Sequence, residues 1–145
     1  MKKLILSFLI SIILLTGCRV AGAEPTETEK SYVSKAVVAG TELTGKLLSS
    51  KGKPVGGAAI FLAEVYRQDG KAAFVLDSGN SPSAKTDKKG NFVISDLVAG
   101  EYILVIGNPM SKYQIYGQEG SEPEVFVVEA GAKLDIGKIK TVLVK

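Results

Sequence analysis

Thr44-Gly45-Lys46-Leu47-Leu48-Ser49-Ser50-Lys51-Gly52-Lys53-Pro54-Val55-Gly56-Gly57-Ala58-Ala59-Ile60-Phe61-Leu62 is the stretch that decides how this chain folds. A short extended run, Glu42–Leu48, reaches a cluster of turn formers, Ser50 to Pro54. Glycine supplies positive φ there, and proline before a strand gives up an N–H that no ladder needs. Beyond it the chain alternates, with Ala58, Ile60 and Leu62 on one side of a second strand, Ala58–Tyr66. Side chains with period 2 line one face of a sheet.

The same grammar repeats to the end of the chain. Further strands are predicted at Ala72–Asp77, Ala84–Thr86, Asn91–Ser95, Tyr102–Ile106, Glu124–Val128 and Lys133–Leu143. Gln68-Asp69-Gly70, Asp87-Lys88-Lys89-Gly90, Ala99-Gly100 and Glu129-Ala130-Gly131 punctuate them. After the apolar N-terminal run, no pattern of period 3.6 persists for two turns. Short strands at this spacing predict an all-β, antiparallel Greek-key sandwich of seven to eight strands. The inward set is expected to include Phe92, Ile94 and Leu97, then Tyr102, Leu104 and Ile106. Val125 with Val127, and Leu134 with Ile136, are expected to complete it. Phe61 and Val65 fall on the opposite face, where they cover a sheet edge or form an apolar patch.

These residues carry a likeness. Thr44-Gly45-Lys46-Leu47 and Gly52 to Leu62, followed by Thr86-Asp87, Gly90-Asn91-Phe92, Leu97, Gly100, Tyr102 and Leu104, resemble the two motif blocks of carboxypeptidase regulatory-like domains. The resemblance covers roughly residues 41–107 and extends through the closing strands to Val144. It implies a prealbumin-like (transthyretin-like) sandwich that serves as an accessory or adhesion module. In that pattern Gly45 and Gly52 serve turns or bulges, and Asp87 to Gly90 closes a hairpin. Tyr102 is a packed aromatic whose hydroxyl bonds back to a corner, or else a ligand contact. Two segments depart from the pattern. Val65–Leu76 reads as an inserted hairpin about Gly70, followed by the polar loop Ser78–Ser83. Gly107–Glu122 forms a second excursion holding Tyr113 and Tyr116.

The N-terminus assigns a compartment. Lys2 and Lys3 precede the apolar run Leu4–Leu15, and Leu15-Thr16-Gly17-Cys18 follows at its end. A dozen residues span about 18 Å as a helix, short of the about 30 Å of a bilayer core. The arrangement resembles a bacterial lipoprotein signal peptide with its lipobox (Leu15, Thr16, Gly17). That resemblance makes residues 1–17 the signal and Cys18 the lipidated first residue of the mature chain. The Cys18 thiol would carry a diacylglycerol and its amine a further acyl chain; no other cofactor is expected. Residues 18–40 then form a tether, poor in apolar side chains, and residues 41–145 the sandwich domain. Tyr32-Val33 and Val37-Val38 within the tether suit a helical turn or an edge strand equally. Arg19, not aspartate, follows the cysteine. This favours the outer membrane in a diderm source, or the outer face of the cell membrane in a monoderm.

Composition narrows the function. Removing 17 of 145 residues leaves 128, with 16 basic against 15 acidic side chains. No basic stripe interleaved with aromatics occurs, which argues against nucleic acid. Histidine is absent and the single cysteine is committed to lipid. Ser-His and Cys-His chemistry is therefore excluded, along with the commonest metal ligand. Ser34-Lys35 suits a solvated surface better than a dyad. Asp87 and Asp96 suit turns better than acid–base work, and Asp77, Asn80 and Asp87 lack the spacing of a calcium loop. The expectation is a non-enzymatic, membrane-anchored module that binds an envelope protein through loops or edge strands. The alternative is carbohydrate binding, with Tyr113 and Tyr116, joined by Tyr66, stacking on sugar rings. Packing of the two loop tyrosines onto the sandwich is the competing account of them. A small-ligand carrier rests on fold analogy alone.

Overall fold

Nine strands and no α-helix make up the described residues of the computed structural model, which are 37–118 and 122–143. All fall within one unit, Val33–Lys145. The signal segment, Cys18 with Leu15, Thr16 and Gly17, and the tether up to residue 36 lie outside the described residues.

The strands are β1 (Glu42–Ser49), β2 (Ala59–Gln68), β3 (Lys71–Val75), β4 (Ser83–Lys85), β5 (Asn91–Ile94), β6 (Gly100–Gly107), β7 (Tyr113–Ile115), β8 (Val125–Val128) and β9 (Lys133–Thr141). They form two sheets. One has three strands in the order β5-β1-β9. The other has six: β2 and β6 pair at its centre, β3 and β4 share the outer edge of β2, and β7 and β8 share the outer edge of β6. The all-β sandwich is as expected, with three differences. Nine strands are present where seven to eight were predicted, because β7 forms within the Gly107–Glu122 excursion. Pairing is antiparallel except between β1 and β9, which run parallel. The Asp87–Gly90 turn does not close a ladder hairpin; it carries the chain from β4 in one sheet to β5 in the other.

The core lies between the sheets. Leu43, Leu47, Ile60, Leu62, Leu104 and Ile106 are fully enclosed there, with Phe92, Ile94 and Leu97 beside them. Each such side chain stabilises the fold by roughly 1.5–3 kcal/mol on burial. Gly45 lies on the inward face of β1, opposite Phe92. A Cβ there would stand 2.8 Å from the Phe92 ring and 2.9 Å from Ile136. The motif glycine thus makes room for an aromatic. Across from it β9 bulges: Thr44 pairs with Asp135 and Lys46 with Lys138. The extra residue switches parity along β9. Leu134 and Ile136 pack inward before it, and Ile139 and Thr141 are buried after it.

One face assignment is reversed. In β8, Phe126 and Val128 face the core, while Val127 is 61% exposed. Tyr102↔Phe126 and Glu101↔Val127 are cross-strand partners, so the register with β6 sets this parity. Val125 joins a second buried cluster on the other face of the six-stranded sheet. There Ala63, Ile103 and Val105 are enclosed, with Phe61, Val65 and Ile115 packed against them.

Tyr102 locks the corner between the sheets. It is 1% exposed, and its hydroxyl donates to the Val98 carbonyl at 2.7 Å. Burial pushes its pKa up to about 12. Buried threonines are bonded likewise: Thr86 Oγ1 accepts from Ala58 N at 2.9 Å, and Thr41 Oγ1 accepts from Gly131 N at 2.8 Å. Among the described residues no buried side-chain nitrogen or oxygen lacks a partner.

Candidate functional site

The inserted hairpin is built as its residues demand. Asp69 and Gly70 both take positive φ, at 51° and 74°. Positive φ at both central residues suits a two-residue type I′ turn, whose twist matches the flanking strands. Gln68 pairs with Lys71, and the register runs on to Glu64 with Val75. In such a hairpin the closing pair exchanges both main-chain bonds, and bonded and unbonded pairs then alternate. The N–H and C=O groups of Ala72 and Phe74 therefore point away from β2. Among the described residues no strand pairs with that edge. All five residues of β3 are exposed. Phe74 and Val75 present opposite faces, 47% and 55% exposed, and Tyr66 on β2 is 52% exposed. The Tyr66 hydroxyl donates to Glu64 Oε2, a bond that raises its pKa. The loop after β3 is held by Asp77. Its Oδ1 accepts from Gly79 N at 2.9 Å and its Oδ2 from Asn80 Nδ2 at 2.6 Å, which lower its pKa.

The two loop tyrosines part company. Tyr116 stacks on Phe126, with ring centroids 6.1 Å apart, and packs against the core. Burial raises its pKa. Tyr113 is half exposed and pairs with Gly107. Tyr66 stands at the other end of the same sheet. Its strand runs antiparallel to β6, with Ile60 beside Ile106 and Glu64 beside Tyr102. At about 3.3 Å per residue, the two exposed tyrosines are separated by roughly 20 Å along the strands. The fold does not bring the three rings to one place. Nor does it unite the acidic candidates: Asp77 follows β3, while Asp87 occupies the β4–β5 crossing. Among the described residues no group of three or more His, Cys, Asp or Glu is placed to hold a metal ion.

A cleft was not foreseen from the sequence. It opens between the two sheets, where β1, β6 and β9 end and β2 begins, with a volume of about 320 Å³. Leu47, Val55, Ala58, Ile106 and Leu143 give it an apolar wall; Asn108, Lys112 and Thr141 are the polar side chains lining it. The Asn108–Lys112 turn is fixed by Asn108 N donating to Lys112 O and Met110 N to Asn108 Oδ1, both at 2.9 Å. No single motif marks this cleft, since its walls come from five separate segments.

No family model matches the chain, and no curated protein does. Among solved structures it is similar to a candidate carbohydrate-binding protein of Pseudomonas aeruginosa, at 16% identity and TM-score 0.46, over 81% of this chain and 99% of that one. It is also similar to the major pilin subunit of Bacillus cereus, at 15% identity and TM-score 0.42, over 70% of this chain and 30% of that one. The minor pilin of Streptococcus agalactiae gives 22% and 0.43, over 75% of this chain and 48% of that one. The chain thus spans less than half the length of either pilin.

Proposed function

We propose that this protein is a non-catalytic lipoprotein of the cell envelope that offers the free edge of β3 to a strand of a protein partner. The observation that carries the reading is the exposed strand Lys71–Val75, with outward main-chain groups at Ala72 and Phe74 and an apolar side chain on each face. Strand addition takes its affinity from main-chain bonds and its specificity from alternate side chains. Long apolar edges left unprotected invite aggregation, so a built-in partner is the economical reason to keep this one. The compartment rests on Lys2, Lys3, the Leu4–Leu15 run and the lipobox ending at Cys18. Two or more acyl chains anchor stably where one does not. The membrane is the outer one in a diderm source and the cell membrane, on its outer face, in a monoderm. Nucleic acid is not among the partners.

Phe74→Pro tests the edge. Proline removes an N–H that bonds nothing in the hairpin, so the sandwich is expected to fold. A photo-crosslinking residue at position 72 of the lipidated protein, activated in its own envelope, is expected to trap a discrete adduct that Phe74→Pro abolishes. Adduct formation indifferent to the proline would overturn the edge assignment. Cys18→Ala tests the anchor: the variant is expected to take up no labelled palmitate in the producing cell. Palmitate incorporation equal to that of the unaltered protein would reject lipidation at this residue.

A second reading, carbohydrate binding, is favoured by the half-exposed ring of Tyr113. It predicts glycan binding that is lost on Tyr113→Ala.

A further inference from the structure

The near-neutral charge of the chain conceals a division between the two ends of the sandwich. At the end bearing the cleft, the turns 49–55, 86–90 and 108–112 carry Lys51, Lys53, Lys88, Lys89 and Lys112, all exposed. Their single carboxylate is Asp87, and it is occupied. Its Oδ1 accepts from Lys89 N and Asn91 N at 2.8 Å, and its Oδ2 from Asn91 Nδ2 at 2.9 Å. These bonds hold its pKa below the usual carboxylate range. At the opposite end, the turns 69–70, 95–99 and 129–132 carry Asp69, Asp96 and Glu129, and of the cations that flank them Arg67 and Lys133 are paired with Glu101 and Glu42, leaving Lys71. The topology makes this division. The connections β1–β2, β4–β5 and β6–β7 return at one end, and β2–β3, β5–β6 and β8–β9 at the other.

The turns are packed around the cleft itself. Val55 and Gly57 line it, and between them Gly56 lies against the Asp87–Lys88 backbone, so closely that a Cβ would meet Asp87 O at 2.9 Å. Lys112 lies in the cleft wall. The interior is apolar, Lys112 is the one cation that lines it while the other four lysines stand on the adjoining turns, and about 320 Å³ is at the lower end of the range for small-molecule sites. Three classes of ligand sort themselves by this geometry. An anionic polymer would use the lysines and leave the apolar wall wet. A neutral lipid would fill the wall and ignore the lysines. An amphiphile with one apolar chain and an anionic head satisfies both.

We propose that this cleft binds single-chain anionic amphiphiles of the fatty-acid class. The chain inserts between Leu47, Ala58, Ile106 and Leu143, and the carboxylate stays at the mouth beside Lys112. Head-group attraction is exposed to solvent, so it is modest and weakens as salt screens it. The apolar wall supplies most of the affinity. The site is separate from the β3 edge, so the failure of one proposal leaves the other standing.

The test is titration of the isotope-labelled full chain carrying Cys18→Ala, so that no attached acyl chain competes. Amide shifts are followed with decanoate, decanol and vesicles with or without phosphatidylglycerol as probes. Decanoate is expected to move the amides of Ala58, Gly107 and Leu143, below its micelle concentration, and to bind several-fold tighter than decanol. Lys112→Glu is expected to weaken decanoate roughly fivefold. Ala58→Leu, which fills the cleft from its wall, is expected to abolish binding while the spectrum stays dispersed. The proposal is overturned if decanoate moves no cleft amide, or if decanol binds equally and Lys112→Glu changes nothing. Binding that survives Ala58→Leu, or binding of anionic vesicles alone, overturns it as well.

Discussion

Tyr102→Ala is expected to lower the unfolding free energy by about 4 kcal/mol, the cost of emptying a large aromatic site in a core that cannot collapse around it. Domains of this size are stable by only about 5–15 kcal/mol. The variant should therefore melt well below the unaltered protein, or fail to accumulate. Tyr102→Phe separates the two contributions. It keeps the ring between Glu64 and Phe126 and removes only the bond from the hydroxyl to Val98 O. It should cost about 1 kcal/mol. Chemical denaturation of both variants measures this, and equal losses in the two would sink the packing account. The phenol also sets a pH dependence. Its folded pKa is about 12 against an ordinary value of 10.0, so the folded state favours the neutral form. That contribution is complete below pH 10 and is lost as pH rises from there towards 12. The stability difference between the unaltered protein and Tyr102→Phe should shrink across the same interval.

Gly90→Ala is expected to cost about 3 kcal/mol, from a left-handed backbone forced on a residue with a Cβ together with a clash that has no outlet. The φ of Gly90 is +83°, and a Cβ there would sit 2.4 Å from Leu47 O. That carbonyl already accepts from Val55 N, and Leu47 N donates to Gly90 O at 2.7 Å. Moving any of these atoms would release the crossing that carries the chain from one sheet to the other. Gly52→Ala is the control. It shares the positive φ, at 76°, but a Cβ there would meet nothing within 4 Å. Conformation alone should cost it about 1 kcal/mol. If thermal unfolding finds the two alanine variants equal, the close approach to Leu47 is not what requires a glycine at position 90.

Most strands could be read from the chain because their side chains alternate and their turns carry Gly, Asp and Pro. Phe92 and Ile94 on β5, and Ala58, Ile60 and Leu62 about β2, are of this kind. The insertion about Asp69-Gly70 was legible for the same reason. Legibility failed where local pattern is silent. β8 is Val-Phe-Val-Val, apolar at every position, so only its register with β6 says which residues turn inward. The central run Tyr102–Ile106 is likewise continuous because both of its faces are buried. β7 is three residues long and owes its existence to the free edge of β6. The parallel partnership of β1 and β9 joins segments some ninety residues apart, which no window can see. The tyrosines of the 107–122 excursion were named from sequence. Their division, Tyr116 inward against Phe126 and Tyr113 outward, depended on tertiary packing. The cleft was invisible for the same reason as the parallel pair, since its walls converge from separate segments.

That parallel pair also decides how the body answers to tension. Force entering at Glu42 and leaving at Thr141 pulls the two strands lengthwise past each other, because they point the same way and are gripped at opposite ends. Seven paired positions, from Glu42↔Lys133 to Ser49↔Thr141, then carry the load together instead of parting one at a time. Loaded through those two points, the pair would hold as a shear-loaded clamp.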